Sequence, residues 1–132
     1  MVGEVVAGGV AENPTTSLRV EGRGPVTLVG PLEAELRRLN GATVTVAGGL
    51  AASPPNAFSV SRYEIVSVDG ARPFVGTLFS RAGELWLAGP DTLRLASVPS
   101  ALQSKSGTKV WIVGRRSGNE LTVQSYGILR EP

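Results

Sequence analysis

The sequence predicts an all-β chain with short helices, arranged as two tandem units of five strands each. Two observations carry that prediction. The first is a repeat, because most of residues 26–65 returns as residues 93–128. Val26, Leu28, Leu32, Leu36, Gly41, Val44, Val46 and Gly48 are matched by Leu93, Leu95, Val98, Leu102, Gly107, Val110, Ile112 and Gly114. Phe58, Val60, Tyr63 and Ile65 are matched in turn by Leu121, Val123, Tyr126 and Ile128. The offset is 67 residues in the early strand, 66 across the helix and the strand after it, and 63 at the end. Length changes therefore fall in turns, as they do when a folding unit is duplicated and its loops vary. The second observation is the spacing of apolar residues. It alternates over most of the chain and takes a helical period around Leu32, Leu36 and Leu39, and more weakly around Val98 and Leu102.

Taken in order, Val2, Val5 and Val6 open a first strand that the Gly8-Gly9 pair should bend or bulge. Asn13-Pro14 reads as a turn. Leu18 and Val20 alternate with Arg19 and Glu21 in a second strand, and Val26 and Leu28 form a third. Pro31 suits the first turn of a helix, where its missing N–H costs nothing. Leu32, Leu36 and Leu39 then share one helical face, Glu33 and Arg37 stand four apart, and Asn40-Gly41 stops the helix after about two turns. Val44 and Val46 make a fourth strand ending at Gly48, and 51–56, centred on two prolines, is a loop. In the fifth strand Phe58 and Val60 share one parity while Tyr63 and Ile65 share the other, which requires a bulge near Ser61-Arg62. Val123 and Tyr126 repeat that shift near Gln124-Ser125.

Asp69-Gly70 divides the units, giving 1–70 and 71–132. In the second, Val75, Gly76 and Leu78 resemble Val2, Gly3 and Val5, and Leu85 and Leu87 take the places of Leu18 and Val20. The turn at 81–83 is six residues shorter than its counterpart. A weaker helix starts at Ser97 or Pro99 and stops at Ser106-Gly107. Units this small bury little surface alone, so they are expected to lean on each other, as separate or as intertwined barrels.

Composition narrows the function classes. Hydrophobic residues at 42% and charged residues at 18% describe a folded chain. No run approaches the roughly 18 apolar residues of a membrane span. The formal charge is +2, from 13 Lys+Arg against 11 Asp+Glu, which is a weak argument for nucleic acid. Arginine outnumbers lysine, present only at Lys105 and Lys109; with abundant Ala, Gly, Val and Leu this suggests a GC-rich bacterial genome. Without cysteine there is neither a disulfide nor a thiolate metal site. Met1, Val2, Gly3 and Glu4 do not form a signal peptide.

The order strand, strand, strand, short helix, strand, strand, with a glycine in the first strand, resembles the OB-fold, a five-stranded Greek-key barrel. The segments GATVTVAG at 41–48 and GTKVWIVG at 107–114 look like the fourth strand of small bacterial OB-type domains, many of them exported. An SH3-like barrel is the nearest competitor but has no place for the helix around Leu36. The resemblance implies the bacterial envelope, periplasmic or extracellular, if a leader was removed ahead of Met1, and the cytoplasm otherwise.

Catalysis has little support. The chain lacks histidine and cysteine, the usual general base and thiol nucleophile. Ser104 and Ser106 near Lys105 and Lys109 read as a polar turn, and Glu33, Glu35 and Asp69 as solvated or turn residues. No cofactor or metal is expected. The binding candidates are outward residues. Trp86 lies between inward Leu85 and Leu87, and Trp111 between inward Val110 and Ile112. With Arg94 on the third strand, Trp86 makes a stacking platform on what the resemblance implies is the ligand face. Packing against the first unit is the competing use of either tryptophan. Arg115 and Arg116, read as part of a loop with Ser117, Gly118 and Asn119, would flank that face, and Arg19 and Arg23 would line a groove in the first unit, opposed by Glu21. Two readings follow. One is a non-enzymatic module for protein binding or self-association; the other is a single-strand nucleic-acid binder using the Trp and Arg face, against which stand Glu84, Asp91 and Glu120.

Overall fold

Strands fill the chain in the order the alternation gives, and they close on themselves twice. The structure is a computed structural model and describes residues 1–10, 12–51 and 57–132, with the side chain of Val10 left aside. The chain divides into Met1–Arg72 and Pro73–Pro132. The first unit contains β1 (Val2–Val10), β2 (Asn13–Val20), β3 (Gly24–Val29), α1 (Glu33–Arg37), β4 (Thr43–Leu50) and β5 (Phe58–Ser67). The second contains β6 (Phe74–Arg81), β7 (Glu84–Ala88), β8 (Thr92–Ala96), β9 (Lys109–Ser117) and β10 (Glu120–Arg130). Their sheets are closed barrels in the orders β1-β2-β3-β5-β4 and β6-β7-β8-β10-β9. Each barrel takes all its strands from one unit, so the two are not intertwined. Among the described residues no helix is long and apolar enough to cross a membrane.

Each barrel closes through one short parallel ladder. In the first it joins Leu28 to Phe58 and Val29 to Ser59, and in the second Arg94, Leu95 and Ala96 to Glu120, Leu121 and Thr122. The side chains inside are those whose parity points inward. Val5, Leu18, Leu28, Val44, Val46 and Val60 are buried in the first unit; Leu78, Leu85, Leu95, Val110, Ile112 and Leu121 are buried in the second.

The link from third to fourth strand passes under the barrel and is stitched to the first strand in the same way twice. Val5 donates its N–H to the Ala42 carbonyl at 2.9 Å and accepts from Gly41 at 2.8 Å; Leu78 does the same with Thr108 at 2.9 Å and Gly107 at 2.7 Å. Leu36 and Leu102 plug the barrels from this link, both at 0% exposure. The helical content differs between units. In the first, helix-forming Glu, Ala, Leu and Arg give α1, shorter than the two turns expected, with Glu33 bridging Arg37. In the second, the helix expected over Val98–Leu102 is a 3₁₀ turn, Ser100–Leu102, closed by i to i−3 bonds. Its serines offer the backbone competing hydrogen bonds, which disfavours a longer helix.

Both bulges inferred from the parity change are present. Ala47 faces Arg62 and Gly48 faces Val60, so Ser61 is the extra residue; Gly114 faces Val123 and Val113 faces Ser125, so Gln124 is. A second bulge, at Val66 and at Leu129, also recurs at an offset of 63 and left no readable sign in the sequence. Two other expectations change. Asn13 and Pro14 are not a turn but the start of β2, with Pro14 opposite Gly9. There β2 is paired on one side only, since its ladder with β3 begins at Ser17, and such a position accepts a residue without an N–H. The register of β1 with β2 runs unbroken from Glu4 to Val10, so Gly8-Gly9 carries no bulge. Asp69-Gly70 makes a tight turn between Val68 and Ala71, both residues having positive φ. The loop expected over 51–56 lies, from 52 on, outside the described residues.

Glu35, expected to be solvated, is 4% exposed. It lies on α1 and accepts the Tyr63 hydroxyl at 2.7 Å, tying the helix to the bulged strand. Because a buried carboxylate that loses a donor keeps its desolvation cost, Tyr63→Phe is expected to lower stability by about 1–3 kcal/mol. Urea denaturation of the two chains measures it.

Candidate outer face of the second barrel

Alternation along β7 turns Leu85 and Leu87 inward, both buried, and Trp86 outward. Ladder register then decides what stands beside it. Phe79 of β6 is directly opposite on one side and Arg94 of β8 on the other, and Arg94 in turn faces Glu120 of β10. Phe79, Trp86, Arg94 and Glu120 thus form one row across four strands of the outer surface. The rings of Phe79 and Trp86 are stacked, 6.3 Å apart at an interplanar angle of 20°. Arg81, two residues after Phe79, lays its guanidinium over both, 5.4 Å from the Phe79 centroid and 5.5 Å from that of Trp86. This is a cation–π arrangement. The Ala82-Gly83 turn, with φ of 53° and 78°, brings Arg81 opposite Glu84 and so sets the register of the whole row.

Arg94 is held by two carboxylates, Glu120 and Glu84, the latter at 3.6 Å. Its side chain is 42% exposed, so these pairs add little stability. They matter because they neutralise the cation of the expected platform. Arg115 and Arg116 are not in a loop. Both belong to β9, opposite Thr122 and Leu121 of β10, and the turn is confined to Gly118 and Asn119. Arg116 bonds the Gly118 carbonyl at 2.9 Å and Asp91 at 2.8 Å. Arg115 is exposed, with no ion pair among the described residues.

Trp111 does not join the row. It pairs with Val75 of β6, four residues from the Phe79 that neighbours Trp86, which along a strand is roughly 13 Å. Its indole covers Gly127 of β10, where a Cβ would come within 2.3 Å of Nε1. That is the role of an aromatic closing a gap over a sheet glycine. In the first unit Arg19 is bound to Glu4 across β1 and β2, and Arg23 stands exposed in the following turn.

Sequence reading missed Phe79 and Arg81. The signal was there: Leu78 is inward, so Phe79 and Arg81 are outward, and a two-residue turn at Ala82-Gly83 places them against Trp86.

Each barrel also has an open groove where its second and third strands part. The first, about 340 Å³, lies between Thr15, Thr16, Leu28 and Val29; the second, about 480 Å³, lies between Ser80, Glu84, Arg94, Leu95 and Gln103. Leu28 and Leu95 are repeat partners, so the grooves occupy one place in two units. Among the described residues no three carboxylates converge as metal ligands would. Compared with family models, with curated proteins and with solved structures, the chain matches none.

Proposed function

We propose that this chain is a non-enzymatic tandem OB-type module of the bacterial envelope that binds another protein or a second copy of itself through the outer face of its second barrel. The strand order, with a helical link between third and fourth strands, supports the OB-type reading of each unit. The repeat offsets and the doubled bulges support a duplication. Absence of histidine and cysteine from the sequence supports a non-enzymatic role.

One observation carries the choice of partner. Of the three guanidinium groups that would meet phosphates, Arg94 and Arg116 are already bound to Glu84, Glu120 and Asp91, which leaves Arg115, while the Phe79–Trp86 stack beside Arg94 is half-exposed. Nucleic-acid affinity comes mostly from cations that replace counterions along the phosphate chain. Protein interfaces instead favour aromatic residues and arginine at their centres.

The stacked rings and Arg81 also suit a single-strand binder, and the two readings separate experimentally. Tryptophan fluorescence is titrated with an oligothymidylate at low and moderate salt while light scattering follows the mass of the chain. The expected result is no saturable quench up to high micromolar oligonucleotide. A quench that weakens steeply with salt overturns the protein-binding reading in favour of nucleic acid.

A further inference from the structure

We infer that the Arg81–Phe79–Trp86 patch takes an acidic segment of a partner protein, with a carboxylate of the partner bound by Arg81. This rests on the reading of the second barrel as a protein-binding module and names what it binds.

The argument is one of unmatched donors. Arg81 has neither a hydrogen bond nor an ion pair to an acceptor among the described residues, although cation–π contacts hold its guanidinium over two rings. The Trp86 indole N–H beneath is buried and likewise lacks an acceptor among those residues. A guanidinium held over aromatic faces with no acceptor of its own has its donors free and loses less freedom on binding than a mobile one. Its best acceptor is a carboxylate, taken through two parallel hydrogen bonds. Glu84, opposite Arg81 in the ladder, is turned to Arg94 instead.

The rest of the row selects against a phosphate chain. Beyond Trp86 the row itself holds one cation, Arg94, between two carboxylates, Glu84 and Glu120. A strand of successive phosphates crossing the row would meet that excess negative charge within one or two steps. A peptide with an acidic residue followed by a basic one matches it, acid on Arg81 and base on Glu84 and Glu120. The pattern therefore discriminates by repulsion as well as by attraction.

The test uses the full chain and NMR detection of backbone and indole N–H groups. The probes are a capped peptide with two glutamates followed by two lysines, the same peptide with glutamine for glutamate, and an oligothymidylate. Saturable shifts of the Trp86 indole N–H are expected with the acidic peptide, roughly tenfold weaker binding with the glutamine peptide, and a similar loss in Arg81→Gln. Arg81→Lys should recover part of it, because a point charge replaces a two-pronged donor. Thermal melts of both variants should match the parent chain, since Arg81 is exposed. Equal binding of both peptides, unchanged binding in Arg81→Gln, or the same shifts with oligothymidylate overturns the inference. If neither peptide binds while light scattering shows concentration-dependent association lost in Trp86→Ser, the binding-module reading stands and the acidic partner falls.

Discussion

Gly114→Ala is expected to destabilise the second barrel by about 3 kcal/mol, and Gly48→Ala the first by a similar amount. A Cβ on Gly114 would stand 1.9 Å from the Thr122 carbonyl oxygen, and one on Gly48 1.9 Å from that of Ser59. Both obstacles are backbone, so no side-chain rotation relieves them. The crowding has a cause in the ladder. Each glycine sits at the step where the partner strand carries its extra residue, Gln124 or Ser61, and the bulge presses the two backbones together. Accepting the methyl group means parting β9 from β10, or β4 from β5, along the longest ladder of the barrel. Gly49→Ala is the control: it follows Gly48 in β4 and has nothing within 4 Å of its added Cβ. A surface change of that kind stays within about 0.5 kcal/mol. Denaturation midpoints of the three variants decide the matter, and a Gly114→Ala chain as stable as Gly49→Ala refutes the account.

Leu36→Ala and Leu102→Ala should each cost about 2–5 kcal/mol despite their different surroundings. Both side chains are at 0% exposure and both close the barrel from the link between third and fourth strands. Leu36 is carried by α1 and Leu102 by a single 3₁₀ turn. If the helix itself held the barrel together, removing Leu102 from its poorer helical context would be mild. The cost is instead set by the cavity left in a closed ring of strands, which cannot collapse around a missing plug. Urea titrations of the two variants compare them directly. A cost below about 1 kcal/mol for Leu102→Ala contradicts the role assigned to it, because full burial of a leucine is worth more than that.

What could be read from the sequence depended on whether a residue's environment leaves a period behind. Inward positions do: Leu18, Leu28, Val44 and their partners alternate, and the change of parity between Val60 and Tyr63 requires a bulge. The second bulge, at Val66 and Leu129, lies close to the strand end, where too few residues follow for a new parity to be counted. The helix expected near Val98 failed because Val98 and Leu102 are too few to establish a helical period, and only Leu102 lies within the 3₁₀ turn that forms. Arg115 and Arg116 were assigned to a loop because exposed polar residues of a long hairpin show no alternation. At the candidate face, alternation gave Trp86 and Arg94 their outward direction. It set Glu84 and Glu120 against the platform but could not show that both pair with Arg94, since that depends on ladder register, and for Glu120 on a strand 26 residues further along. Burial of Glu35 was hidden for the same reason, its partner Tyr63 being 28 residues away.

The brief parallel ladders give each ring a clasp. Two rungs fasten β3 to β5 and three fasten β8 to β10, whereas β4 and β9 are bound to their partners along almost their whole length. Opening of the first ring is expected along the line of its clasp, where the fewest rungs must break, and in the second β8 is the weakly held strand, with three rungs on either side. That line borders the groove, with Leu28 and Val29 on it in one unit and Arg94 and Leu95 in the other. Anything that rests there touches the clasp from one side only, through β3 or β8, and if it binds the closed ring better than the open one it holds the ring shut by that difference in affinity.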